Sequence, residues 1–340
     1  MTVLHVDNLW DRLYETKWEN TGSPFGSFVT GRHASGPTGA FKFNSASSVS
    51  AYGANSLRHT LASAVAELYV GTAMRHDGST SSGDTLGALG LLDAADNWIV
   101  SVNHMSNGNI EFREGDPEGT LLATQSTSGA LDWKHVAIGV NATEGTALLF
   151  VDGAPIAEST GLTLNQPQTA LLSARQPSGG LASRTIAVED AWVATANIGD
   201  ARVIPVRADA AGAAAEWDPS DGVSANWEMV GGLPPDLDEY VSTDVDGARD
   251  SLALPTVHND AGRPEVLAVV AYARGSKTDG TTRELAAGMR VGTTYYDGTA
   301  INVSGIVQAS KLWEANPDTS AAWTLADVAA AEVTYVATKP

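Results

Sequence analysis

Short runs of alternating apolar and polar positions dominate the first two thirds of this chain, and a helical period is rare. Residues 66–75 alternate with Leu68, Val70 and Thr72 on one face. Residues 86–92 and 97–102 follow, split by the turn composition Asp93-Ala94-Ala95-Asp96. Residues 109–113 and 119–124 come next, and Asn107-Gly108 reads as a hairpin turn. Residues 133–140 and 147–151 form the strongest pair, ending in Asp152-Gly153. Residues 170–174 and 184–194 complete the series. Closely spaced strands with turn signals between them predict a sandwich or jelly roll.

The pattern changes near residues 196–200, which sets the expected domains at 1–197 and 198–340. Residues 202–207 read as a strand and 208–222 as a small, polar stretch. Leu233-Pro234-Pro235-Asp236 excludes regular structure. Residues 265–274 are apolar on both faces and predict a central strand. Residues 283–291 are expected to pair with it across the turn at 277–281. Residues 316–323 read as a loop and 324–331 as one short helix, with Thr324 as its cap and Asp327 completing a capping box. Residues 332–337 give a last strand. The expected class is all-β: a sandwich, then a smaller β-sandwich-like domain with one short helix.

Composition narrows this picture. The 340 residues contain no cysteine, so disulfides and thiolate chemistry are excluded. The net charge is −20. Both halves share it: 10 Lys/Arg against 19 Asp/Glu (−9) up to residue 198, and 10 against 21 (−11) beyond it. Such a surface repels phosphate backbones, so no nucleic-acid partner is expected. The start, Met1 to Asp7, lacks the basic and apolar regions of a signal peptide. No apolar run approaches the ~20 residues of a membrane span. Synthesis in a cytoplasm and no membrane partner are the expectations.

Trp133-Lys134-His135-Val136-Ala137-Ile138-Gly139-Val140 and Ala147-Leu148-Leu149-Phe150-Val151-Asp152-Gly153, with a closing Ile186-Ala187-Val188-Glu189-Asp190-Ala191-Trp192-Val193, resemble laminin-G/concanavalin-like jelly rolls. The resemblance covers about residues 1–195. In the second half, Asn226-Trp227-Glu228, Pro234-Pro235-Asp236, Glu239-Tyr240-Val241, Ala271-Tyr272-Ala273-Arg274 and the segment from Trp313 to Val328 resemble a structural domain of tailed-bacteriophage virion proteins. That resemblance implies a place in a virion, contact with other virion proteins, and a homo-oligomer, with a trimer among the options.

Candidate chemistry is sparse. Jelly-roll glycanases align their acids along one strand. The nearest stretch is Glu111-Phe112-Arg113-Glu114-Gly115-Asp116, where Arg113 and the turn break the alternation, and exposed strand-end charges are expected. Glu189 and Asp190 are adjacent, so they point to opposite faces and are expected at the surface or facing a loop. His5, His33, His59, His76, His104, His135 and His258 show no metal spacing, and His135 is expected to be packed or at an edge. Residues 83–90 lack the lysine of a phosphate loop. Asp152 reads as a turn residue. Ca²⁺ held by Asp152 with Asp77, Asp93 or Asp96 is the minor alternative, and no cofactor is expected. Asn141-Ala142-Thr143 and Asn302-Val303-Ser304 match the glycosylation triplet by chance.

Nine tryptophans are present. Trp98, Trp133 and Trp192 are expected in the core. Trp10, Trp18, Trp217, Trp227, Trp313 and Trp323 are expected near loops or termini, as packed anchors or as stacking platforms for a sugar ring. No catalytic, cofactor-binding or metal residue is assigned. The functional expectation is a non-enzymatic structural protein on the exterior of a tailed-phage virion (tail, fibre, spike or decoration), with possible adhesion to host polysaccharide. The alternatives are a carbohydrate-binding receptor adhesin and, more weakly, a glycan depolymerase.

Overall fold

The computed structural model describes residues 2–7, 19–20, 26–30, 39–43, 56–77, 85–105, 107–127, 132–174, 185–230, 238–257 and 265–340. The chain divides into two compact units, Met1–Ile204 and Pro205–Pro340. Both are built from antiparallel strands.

In the first unit the described residues form two sheets. One has the order Ala154–Ser159, Thr146–Val151, Lys134–Asn141, Glu67–Asp77, Thr185–Ala194, Gly39–Phe43, Gly26–Thr30, with Val3–Asp7 also on Thr185–Ala194. The other runs Thr120–Gln125, Ile110–Glu114, Trp98–Met105, Thr85–Leu92, Thr169–Ala174, Ser56–Thr60, Glu19–Asn20. Alternate residues of both enter one core: Leu68, Val70, Val136, Ile138 and Leu149 from the first, Leu89, Leu91, Val100, Val102 and Phe112 from the second. Burial of each such side chain contributes about 1.5–3 kcal/mol, which is what holds the sheets face to face.

The expected hairpin is present, with Val136 opposite Val151 and Val140 opposite Ala147. Asp152 (φ 50°) and Gly153 (φ 79°) then turn the chain into Ala154–Ser159. Two successive left-handed residues are what a two-residue hairpin turn requires, and Asp-Gly supplies them at low cost.

In the second unit the main sheet has the order Ala210–Ala215, Arg249–Ala253, Glu332–Thr338, Glu284–Val291, Thr294–Asp297, with Ile301–Asn302 also on Glu284–Val291. The pairing expected for residues 265–274 and 283–291 does not occur. Val269–Gly275 pairs with Val307–Trp313 as a separate two-stranded layer. Glu284–Val291 lies inside the main sheet, between Glu332–Thr338 and Thr294–Asp297. The apolar run at 269–275 is explained by layer contact instead. Ala273 and Ala309 pack with Leu285 and Ala287, and Ala271 packs with Met289 and Trp313. Small side chains let the two layers approach closely.

Residues 202–207 carry no strand, and Ala210–Ala215 carries one in the stretch read as small and polar. Leu325–Ala330 is the expected helix. Thr324 Oγ1 accepts from Asp327 N, and Asp327 accepts from Thr324 N at 2.9 Å. A second short helix, Asn226–Val230, also forms.

Candidate functional site

The outward face of the seven-stranded sheet carries the most unusual set of side chains. Along Trp98–Met105, Val100 and Val102 enter the core, which turns Ser101 and Asn103 to the other face. Pairing then fixes their neighbours. Ser101 lies between Arg113 and Gly90, and Asn103 between Glu111 and Ala88. Leu171 and Ser173 continue these two rows beyond Gly90 and Ala88, and Arg58 lies opposite Leu171. The centre of the face is therefore a floor of mostly small residues interrupted by Leu171, with an arginine at either end of the Ser101 row.

Ser101 is 0% exposed and Asn103 1%. Asn103 Nδ2 donates to Pro117 O at 2.8 Å, which ties it to the 115–119 loop. Arg113 Nη1 donates to Gly119 O of that loop at 2.7 Å. Gly119 has no room for a side chain, since a Cβ would lie 2.0 Å from Glu114 O. Ser101 Oγ, Asn103 Oδ1 and Arg58 Nε are buried and have no hydrogen-bond partner among the described residues. Trp98 is half-buried, with its six-membered ring over Gly90, where a Cβ would meet Cζ3 at 2.2 Å. Gly90 is thus the seat of that ring.

Each arginine on this face holds a carboxylate. Arg113 Nε and Nη2 donate to Glu111 Oε2 at 3.1 and 2.7 Å. The Arg58 guanidinium pairs with Asp96, a left-handed residue (φ 64°) in the turn before Trp98. Glu111 and Arg113 are consequently not the exposed strand-end charges that the sequence suggested. They share a face two residues apart and are half-buried under the loop.

Sequence reasoning did not single out Ser101, Asn103 or Arg58. The alternation Val100-Ser101-Val102-Asn103 places two polar residues on the non-core face, but alternation alone reads as solvent exposure. Only the folded loop shows that they are covered.

The other candidates have structural roles. Glu189 and Asp190 are buried, at 3% and 0% exposure, which corrects the surface part of the expectation, while Asp190 does face a loop, at Val203. A bulge between Glu189 and Trp192, with Asp190 at φ 54°, breaks the alternation that predicted opposite faces. Asp190 Oδ1 accepts from Val203 N at 2.9 Å, and Glu189 O accepts from Thr72 Oγ1 at 2.9 Å. His135 is buried, and its Nε2 accepts from Trp192 Nε1 at 3.1 Å. Asp152 accepts from His135 N at 3.0 Å and pairs with Lys134 at 3.1 Å, so it fastens its own hairpin. Asp93 accepts from Ala95 N, Asn97 N and Asn165 Nδ2 at 2.8, 2.9 and 2.7 Å. The Asn97 side chain, with these other donors, holds its carboxyl below the usual carboxylate range.

Among the described residues, no group of three or more His, Asp or Glu side chains is arranged to hold a metal ion. His59 and His104 are buried. The side chains of His5, His76 and Asp77, and all of His33, His258, Trp10, Trp18, Pro234, Pro235 and Asp236, lie outside the described residues; of the 83–90 stretch residues 83–84 do too, and 85–90 lie in a strand, as expected.

Trp192, Trp313 and Trp323 are buried, and Trp98, Trp133, Trp217 and Trp227 are half-buried. Trp313 is the last residue of its strand and adjoins the loop that follows. Trp133 lies just before its strand, with the Arg75 guanidinium 5.1 Å from its ring centre.

In the second unit, Asp250 is a fully buried junction. Its Oδ1 accepts from Glu216 N and Trp217 N at 2.7 and 3.1 Å, and its Oδ2 from Asn226 Nδ2 and Tyr335 Oη at 2.5 and 2.9 Å. Burial, then the Asp250 charge, push the Tyr335 phenol above its ordinary value. Trp323 Nε1 donates to Trp313 O at 3.2 Å. An open depression of about 600 Å³ is lined by Ser220, Asp221, Ser224, Glu228 and Tyr240, among others. Two of its acids serve the backbone: Asp221 accepts from Val223 N and Ser224 N, and Glu228 from Ala225 N.

The fold thus defines an all-β protein of two antiparallel units, the first a two-sheet sandwich. No protein-family model matches the chain, and no curated protein matches it by sequence. Among solved structures, it is similar to a cellulose induced protein, with 13% identity and a TM-score of 0.43 over 58% of this chain and 100% of that one. It is also similar to a carbohydrate esterase from Shiga toxin-encoding bacteriophage phi24B, with 10% identity and a TM-score of 0.42 over 56% and 97%. A sialidase gives 10% identity and a TM-score of 0.40 over 56% of this chain, which spans only 18% of the sialidase.

Proposed function

We propose that the protein is a non-enzymatic structural component on the exterior of a tailed-phage particle, and that the surface around Trp98 on its seven-stranded sheet is adhesive for host saccharide. The observation that carries the adhesive reading is Trp98 itself, a half-buried indole seated over Gly90, two residues after the exposed Asp96 that pairs with Arg58. Stacking of a sugar ring on indole suits the same surface.

The virion reading is supported by the segments that resemble phage structural domains. Their residues build the second unit: Asn226 reaches Asp250, and Trp313 and Trp323 brace one core cluster. The non-enzymatic reading is supported by the roles of the acids, since Asp93, Asp152, Asp190 and Asp250 all accept from backbone amides. Assembly as a homo-oligomer with other virion proteins belongs to the same proposal.

Two assays test it. Antibody to the purified chain should label particles released by cells that carry the gene, as seen by electron microscopy. A glycan array probed with the full chain should show binding without release of reducing ends. Unlabelled particles would sink the virion reading, and cleavage of a bound glycan would sink the non-enzymatic one.

A further inference from the structure

An exposed aromatic ring and an acidic lining meet at one depression of the second unit. We propose that this depression docks a partner protein through a basic segment, with Tyr240 against a large apolar residue of that segment and the lining carboxylates against its arginines or lysines. The proposal stands apart from the saccharide reading, since it uses other residues in the other unit.

Tyr240 is 53% exposed. An aromatic side chain held in water on a fixed backbone is the usual anchor of a protein interface, where Tyr is enriched. The backbone here is fixed on both sides. Ser220 N donates to Tyr240 O at 2.8 Å, and Val241–Ser242 pairs with Asp218–Pro219. Val223, 87% exposed, and Val230, 38% exposed, adjoin the lining residues Ser224 and Met229 in the chain and add apolar surface. The depression holds about 600 Å³, within the range of binding pockets. It is open, which suits a segment of chain better than an enclosed small molecule.

Charge selects the partner. Asp221, Glu228, Asp238 and Glu239 line the depression, and no lysine or arginine is among the described residues that do. Asp221 and Glu228 accept from backbone amides of their own segment, so their charge is held in place. The Ser224 side chain, chiefly, keeps the Asp221 carboxyl below the ordinary range and therefore ionised. Glu239 is exposed and engages no partner among the described residues, which leaves its carboxylate open to a guanidinium or ammonium group. Among the described residues no three acids are arranged to hold a metal ion, so a cation carried on a chain is the better match. A second copy of this protein fits poorly, because both of its halves are acidic.

The test is a random peptide library displayed on yeast, selected for binding to the full chain and against its Tyr240→Ala variant. The selected peptides should carry net positive charge and at least one large apolar residue. A synthetic copy of one, followed by fluorescence anisotropy, should bind Tyr240→Ala roughly tenfold more weakly. Glu239→Lys should weaken binding too, as should added salt with the wild type. Glu144→Gln removes one exposed charge of the first unit and should leave the affinity unchanged, which separates this site from the general pull of an acidic chain. Thermal melts check that the variants fold; if Tyr240→Ala does not, Glu239→Lys decides. Selected peptides that are neutral or acidic would overturn the proposal. So would a selection that yields no peptide, an affinity indifferent to both variants, or an equal loss in Glu144→Gln. The glycan result is independent of all of these outcomes.

Discussion

The indole N–H of Trp192 donates to Nε2 of His135 at 3.1 Å, with the two rings nearly parallel at 15° and both side chains buried. The bond joins two strands that lie on either side of Glu67–Asp77. Accepting at Nε2 requires the neutral imidazole with its proton on Nδ1. His135→Ala should destabilise the first unit by about 2–4 kcal/mol, from the lost packing and an indole N–H left unsatisfied. His135→Gln, which keeps an acceptor, should recover part of that loss. Urea unfolding followed by tryptophan fluorescence reads both. Equal stability for the wild type and His135→Ala would refute the role.

Two glycines seat aromatic rings on that same face. A Cβ on Gly71 would lie 2.4 Å from the Trp192 ring, and one on Gly139 would lie 2.2 Å from the Tyr69 ring. Gly71→Ala and Gly139→Ala should each cost about 1–3 kcal/mol through displaced rings. Gly280→Ala, with nothing within 4 Å, should stay within about 0.5 kcal/mol of the wild type. Thermal melts of the three variants give the comparison. A similar loss at all three sites would mean that ring seating is not the cause.

Acid should weaken the turn at Asp93. Its folded carboxyl is held below the ordinary range, chiefly by the Asn97 side chain, so the unfolded chain binds the proton more readily. The resulting stability is present above the unfolded carboxyl's pKa and is lost as pH falls through the lower folded value. Asp93→Asn should therefore be less stable than the wild type near neutrality, with the gap closing in strong acid. Denaturant midpoints measured across a pH series would show this. A gap that stays constant with pH would rule out the carboxylate as its source.

Asp250 joins three segments of the second unit through four donors. Asp250→Ala strands Glu216 N, Trp217 N, Asn226 and the Tyr335 hydroxyl, and should cost at least about 3 kcal/mol. The near-ultraviolet signal of the edge-to-face Trp217–Tyr335 pair, with ring centres 5.1 Å apart, should collapse with it. An unchanged signal and unchanged stability would contradict the junction role.

Much of the first unit was legible because its strands follow a period of two, and turn chemistry marks their ends. Asp152-Gly153 and Asn107-Gly108 are examples, with Gly108 at φ 88°. The capped helix after Thr324 was legible for the same reason, since its signals are local. What failed depended on distant partners. The apolar strand Val269–Gly275 gave no sign that its partner is Val307–Trp313, because small residues on both faces suit a sheet centre and a layer contact equally. The Glu189–Trp192 bulge has no local signature, yet it moves two acids from the expected surface to the interior. Ser101 and Asn103 were visible only as polar positions of an alternating strand. Their burial depends on Pro117 and Gly119, from a loop that the strand pattern does not position.

The central claim is that the surface around Trp98 holds a saccharide. Calorimetric titration of the full chain and of Trp98→Ala with a glycan that the array picks out, paired with thermal melts of both, measures binding and stability together. The account predicts binding weaker by roughly tenfold or more in a variant that still melts cooperatively. Unchanged binding in Trp98→Ala would contradict it.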